Sequence, residues 1–213
     1  TLDGITMGKK AGAQGFMSLA LEEIAGEVFK ECAINYFKDK SMESIQPVMQ
    51  KITESLDPLY KESGELPIAV KLYNTPLSTY LPSEQQVLTE FVQLRTKKEA
   101  TSEGEEFSLE DELKQKEELI ELIKSHKESN PIMGIYGVRM ALFMPFFLEV
   151  QARGIFAAAK GAGVKPSILI PGITHANEIT KVLEIIKPIA DELGIESFLI
   201  GAEIDTARAC CCA

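Results

Sequence analysis

Nucleophiles and proton carriers are scarce in this sequence of 213 residues, which holds four cysteines and two histidines. Cys210, Cys211 and Cys212 stand side by side, and Cys32 stands apart. Adjacent thiols invite acylation or redox chemistry. Their spacing is neither a disulfide framework nor a C-x2-C metal clasp, so the plain reading is an apolar strand continuation or a tail in a reducing interior. His126 falls in a charge-rich run and is expected to face solvent. His175, in Gly172-Ile173-Thr174-His175-Ala176-Asn177-Glu178, follows an apolar run at a point where capping a helix is role enough. Lys71 is the more pointed residue. It lies in Leu66-Pro67-Ile68-Ala69-Val70-Lys71-Leu72, and an ammonium inside an apolar strand is either a contact for phosphate or one half of an internal ion pair.

These side chains must be placed by elements that the hydrophobic spacing makes legible. Residues 7–15 read as the end of a helix with glycine punctuation. Short apolar or β-branched runs predict strands at 16–21, 66–72, 133–140, 167–173 and 198–205. Apolar residues at helical spacing predict helices at 22–38, 42–60, 84–95, 109–127, 147–159 and 175–193. Residues 75–82 form a proline-bounded loop, and a polar linker follows the 84–95 helix through Gly104. Ser108 with Asp111 has the S-x-x-[DE] pattern of a capping box for the charged helix. Apolar strands alternating with helices predict a parallel sheet, hence an α/β fold, in one domain over residues 1–213. A charged helical insertion is expected at about 83–128.

Composition removes several functions. The chain is 45% hydrophobic and 25% charged, a globular balance. Its 22 basic and 32 acidic residues give a net charge of −10, the wrong sign for a nucleic-acid footprint or for docking on an anionic membrane. No apolar run is long enough for a membrane span. The first residues, Thr1-Leu2-Asp3-Gly4, are neither a secretory signal nor an initiator Met, which suggests a processed product or the ordered part of something longer. At 213 residues the chain is also short for an eight-strand βα barrel, which needs roughly 250.

The segment Asn130-Pro131-Ile132-Met133-Gly134-Ile135-Tyr136-Gly137-Val138-Arg139 and the following Glu149-Val150-Gln151-Ala152-Arg153-Gly154-Ile155-Phe156 resemble pyruvate phosphate dikinase. The wider group is the phosphoenolpyruvate-utilising enzymes. Gly12-Ala13-Gln14-Gly15, the run from Lys71 to Pro82, and the runs 168–173 and 201–209 fit the same family in order. The resemblance implies a (β/α)8 barrel that binds phosphoenolpyruvate or pyruvate and magnesium at the strand C-termini, here an incomplete TIM-type barrel of about five or six parallel strands. Arginines clamp phosphate and carboxylate in that family because a planar guanidinium offers paired donors. Acids hold magnesium, a hard cation.

Position by position, the resemblance implies a worn site. Ala20-Leu21-Glu22-Glu23 stands where the family has Arg-Thr-Glu-His, and Lys71 replaces a clamp arginine. Asn74 replaces an acid, Ser78-Thr79 a His-Glu pair, and Tyr136 the first arginine of Gly-x-Arg-Gly-x-Arg, whose second survives as Arg139. Asp205 shortens the metal-binding glutamate, Ala207 replaces the proline, and Arg208 is kept. The family's second metal acid and catalytic cysteine fall beyond Ala213. Lys71, Asn74, Arg139 and Arg208 are therefore expected as vestigial substrate-binding residues and Asp205 as a vestigial metal residue. Strand-end acids are more often solvated or capping, and strand-end arginines more often salt-bridged. No catalytic residue is expected, and no cofactor, with magnesium only if the ancestral site survives. The expected function is a catalytically inactive dikinase-like structural or accessory subunit. It would sit with protein partners or a complementary fragment, inside the cell, with an organelle (plastid or mitochondrion) among the compartments. The alternative is part of an active phosphotransferase whose other residues lie outside this chain. A further alternative is a sensor of small anions through Lys71, Arg139 and Arg208.

Overall fold

A computed structural model describes residues 1–39, 41, 43–100, 106–127, 130 and 134–212. The order is α1 (Leu2–Lys10), β1 (Phe16–Ala20), α2 (Leu21–Asp39), a 3-10 turn (Glu43–Ile45), α3 (Gln46–Ser63) and β2 (Ile68–Lys71). After a second 3-10 turn (Leu77–Tyr80) come α4 (Glu84–Ala100), α5 (Glu106–Ser125), α6 (Val138–Phe143) and α7 (Pro145–Ala162). β3 (Ser167–Ile170), α8 (Ala176–Leu193), β4 (Leu199–Ala202) and α9 (Ala207–Cys212) complete the order. The four strands form one sheet in the order β1-β2-β3-β4, every pair parallel. This is the parallel α/β arrangement of an incomplete TIM-type barrel.

The sheet has two unlike faces because side chains alternate along a strand. Ile68, Val70, Ile168 and Ile170 are buried against the helices. The other face carries Met17, Ala69 and Ser167 in one row, with Leu199 closing it through the register Met17↔Ala69, Ala69↔Ser167 and Ser167↔Leu199. In a closed barrel this would be the filled interior. Here Met17 is 82% and Leu199 49% exposed, so the inner face is open.

Behind the sheet, α3 packs on α7 through a close approach at Gly154. A Cβ there would fall 2.8 Å from Ile52 Cγ2 and 3.1 Å from the Met49 carbonyl oxygen, so only hydrogen fits. An aromatic knot of Phe29, Tyr73, Tyr80 and Phe147 joins α2, α7 and the loop after β2, with Phe29 and Phe147 stacked at 4.1 Å. The helices begin and end where local chemistry directs. Pro145 opens α7, and His175 caps α8, its ring nitrogen accepting from Asn177 N–H while the Glu178 carboxylate accepts from His175 N–H.

The structure corrects several expectations. The strand expected at 133–140 is absent where the chain is described: Gly137 caps α6, which holds Val138, Arg139 and Met140. Residues 131–133 lie outside the described residues. Glycine at 137 and the absence of an uninterrupted β-branched run explain the turn into helix. The described sheet accordingly has four strands, where about five or six were expected. Ser108 lies inside α5, which is already formed at Glu106, so it does not stand at the start of the helix. α4 runs on through the expected linker to Ala100; of the rest of that linker, 101–104 lies outside the described residues. Cys210, Cys211 and Cys212 continue no strand. They are helical and exposed, because Thr206 starts a new turn after β4.

Candidate functional site

The register of the sheet dictates the central contact of the site. Lys71 ends β2 opposite Leu169, which in turn lies opposite Gly201 in β4. Glu203 is two residues beyond Gly201, so it shares the inner face with Lys71. The Lys71 ammonium accordingly meets the Glu203 carboxylate at 2.8 and 3.1 Å across β3, with the two side chains 23% and 29% exposed. Main-chain pairing holds the carboxylate in place, since Glu203 N–H donates to the Ile170 carbonyl at 2.9 Å.

Beside this pair, the first turn of α2 is tied to the loop after β2. Glu22 Oε1 accepts from the backbone N–H groups of Asn74 and Thr75 and from the Thr75 hydroxyl, the last two at 3.0 and 3.2 Å. A carboxylate held by several N–H donors is engaged as an acceptor and fixes the loop in one conformation. One residue earlier, Tyr73 N–H donates to Gln151 Oε1 at 3.0 Å, and Gln151 Nε2 donates to the Phe147 carbonyl. Gln151 is almost fully buried on α7, so the same loop is anchored from the helical layer as well. The phenols of Tyr73 and Tyr80 lie just beneath, and burial pushes both above the ordinary tyrosine range, the Glu22 charge adding to it.

Arg139 enters from α6. Gly137 adopts φ +54°, and a Cβ there would lie 2.8 Å from the Pro171 carbonyl oxygen and 3.0 Å from Asn74 Oδ1. Glycine thus lets α6 press on the end of β3, where Val138 N–H donates to the same Pro171 oxygen at 2.9 Å. The Arg139 guanidinium sits over the Tyr136 ring, 4.5 Å from its centroid. Lys71, Asn74 and Arg139, separated in sequence, are therefore all brought to the C-terminal ends of the strands. Asp205 and Arg208 are not gathered with them into a pocket. They follow β4 and are exposed. His175 serves as the cap expected of it, and His126 lies at the end of α5, its ring nitrogen 3.0 Å from the Leu122 carbonyl oxygen.

Magnesium would need converging oxygen ligands. At this end Glu203 is committed to Lys71, Glu22 Oε1 to backbone amides, and Asp205 is exposed. Among the described residues no group of three or more His, Cys, Asp or Glu is placed to hold a metal. A cavity of about 620 Å³ opens at the opposite end of the sheet, lined in part by Tyr60, Pro67, Ile68, Val164 and Leu199, away from all of these groups.

Glu22, Gln151 and Glu203 were not singled out from sequence. Glu203 lies 132 positions from Lys71 and Gln151 78 from Tyr73, and only the register of strands and helices joins them. A signal for Glu203 did exist: an acid two residues after an apolar strand, matched to a lysine ending another.

An open parallel βα sheet with charged residues at its strand C-termini matches the end of a TIM-type barrel where active sites are built. The chain belongs to the family described as PEP-utilising enzyme, PEP-binding domain, which matches residues 42–212. It is similar to pyruvate, phosphate dikinase of Entamoeba histolytica, 27% identical over 162 residues, covering 71% of this chain and 17% of that protein. It is 29% identical over 155 residues to the pyruvate, phosphate dikinase of Rhizobium meliloti, covering 68% and 15%. A multiphosphoryl transfer protein of Xanthomonas campestris pv. campestris is 38% identical over 82 residues, covering 38% and 10%. The chain spans about a sixth of the length of the curated dikinases it matches.

Proposed function

We propose that this chain is a catalytically inactive dikinase-like barrel domain that acts as a structural or accessory subunit in a larger assembly. The observation that carries the reading is the Lys71–Glu203 pair. The one strand cation facing the site among the described residues is closed on an internal carboxylate, where a substrate anion would need it. Removing a single preorganised donor of this sort typically costs about 2.7–4 kcal/mol, or roughly 10²–10³ in rate. Ala20 and Tyr136, standing where the resemblance expects arginines, deepen the loss, and among the described residues no group of three or more His, Cys, Asp or Glu is placed to hold a metal. The open inner face, with Met17 and Leu199 exposed, is apolar surface that a protein partner or complementary fragment would cover. Four free thiols and no disulfide suit the cell interior. Cell fractionation tests that placement and the organelle reading with it.

The test is calorimetric titration of the purified chain with phosphoenolpyruvate and magnesium, alongside sedimentation of the same sample. The proposal expects no heat at millimolar ligand, and association with itself or with added partners. Heat of binding, or a stable well-folded monomer with no tendency to associate, overturns it.

A second reading, part of an active phosphotransferase, is favoured by one specific observation. Lys71, Asn74 and Arg139 still assemble at the strand ends, and the similar proteins include dikinases several times longer. The full gene discriminates: downstream acid and cysteine motifs, and turnover by the complete product, support this reading against the first.

A further inference from the structure

We infer that Cys210, Cys211 and Cys212 form an exchange site for external disulfides, separate from the strand-end face. All are exposed on α9, whereas Cys32 is buried in the main core. Pairing among them is closed by geometry. Helix positions one and two apart do not face each other, and a disulfide needs Cβ atoms about 3.5–4.5 Å apart. The thiols are thus directed to partners outside the chain.

The segment that presents them is anchored. The Thr206 hydroxyl donates to the Ile173 carbonyl at 2.8 Å and accepts from Ala209 N–H at 3.1 Å, Cys210 N–H donates to the Thr206 carbonyl at 3.0 Å, and Ala209 is buried.

The step balances without any further reagent. The thiol proton goes to solvent and the thiolate attacks one sulfur of the external disulfide. A protein–reagent S–S bond forms, the reagent's own S–S bond breaks, and its other half leaves as a thiolate. The external disulfide, a small molecule, is the oxidant.

The experiment incubates the full reduced chain, freed of reductant, with excess oxidised glutathione near neutral pH, and reads intact mass and peptide map. Adducts are expected on Cys210, Cys211 and Cys212, with Cys32 unlabelled until denaturant is added. The variant C210S/C211S/C212S loses every native-state adduct and keeps the parent's thermal melt. Labelling of native Cys32 as fast as the triplet, no adduct on the triplet, or an internal disulfide within it overturns the inference.

Discussion

Lys71 and Glu203 show what a single internal contact does to a charged site. With each side chain about a quarter exposed, the pair stands between surface bridges worth about 0.2–1 kcal/mol and buried ones whose breakage costs about 3–5 kcal/mol. Glu203→Gln is therefore expected to lower stability by about 1–2 kcal/mol in urea unfolding. It also removes the carboxylate set against the ammonium, so weak phosphate binding should appear by calorimetry where none is expected of the parent. A variant as stable as the parent and equally silent would mean the pair neither supports the fold nor occupies the anion position. The buried phenols of Tyr60, Tyr73 and Tyr80 give a second expectation at this scale. Burial holds all of them above the ordinary value of about 10. Below that pH, folded and unfolded chains both keep these protons and nothing is lost. Above it, the unfolded chain releases protons that the folded chain retains, so stability falls as pH rises. Tyrosinate absorbance should then appear together with unfolding; ionisation of all three phenols in a still-folded chain would contradict their burial.

At the scale of elements, α3 and α7 are held at a distance set by Gly154. Gly154→Ala would put a methyl group against Ile52 and the Met49 carbonyl, an overpacking expected to cost about 1–3 kcal/mol. Thermal melts should show the loss. If the single variant melts with the parent, the helices are looser than their contacts imply. The hairpin of α4 and α5 is the opposite case. Its own small core is Leu81, Val87, Leu119, Ile120 and Ile123, and ion pairs such as Lys98–Glu110 and Lys127–Glu84 cross its surface. Exposed pairs of this kind are worth little. Hydrogen exchange is expected to protect the hairpin amides less than those of α3, α7 and β3, since local opening there exposes little apolar surface. Equal protection throughout would join the hairpin to the main cooperative unit.

Taken whole, the molecule is a sheet covered by helices on one side and open on the other. Helices alone cannot close it, because the row through Met17, Ala69, Ser167 and Leu199 faces away from them. That open face is why the proposed function is stated as membership of an assembly. Charging it with Met17→Glu together with Leu199→Glu should weaken association in sedimentation experiments without lowering the melting temperature. Association that survives both changes would place the contact elsewhere. Among the described residues no helix is long and apolar enough to cross a membrane.

Much of this was legible in the residues themselves. Apolar periodicity marked α2, α3, α7 and α8 and the strands β1 to β4, because burial of one face demands that spacing. The order of motifs identified the family. Local chemistry was also readable at His175, whose capping partners lie within three residues. What the linear order could not supply was the company each residue keeps. The segment entering α6 passed for a strand because a short apolar run with glycines suits either state, and the docking of Gly137 on Pro171 decided between them. Lys71 read as an anion contact or, more readily, as half of an ion pair. Only the tertiary structure decided it, because strand register alone brings Glu203, 132 residues away, onto the same face.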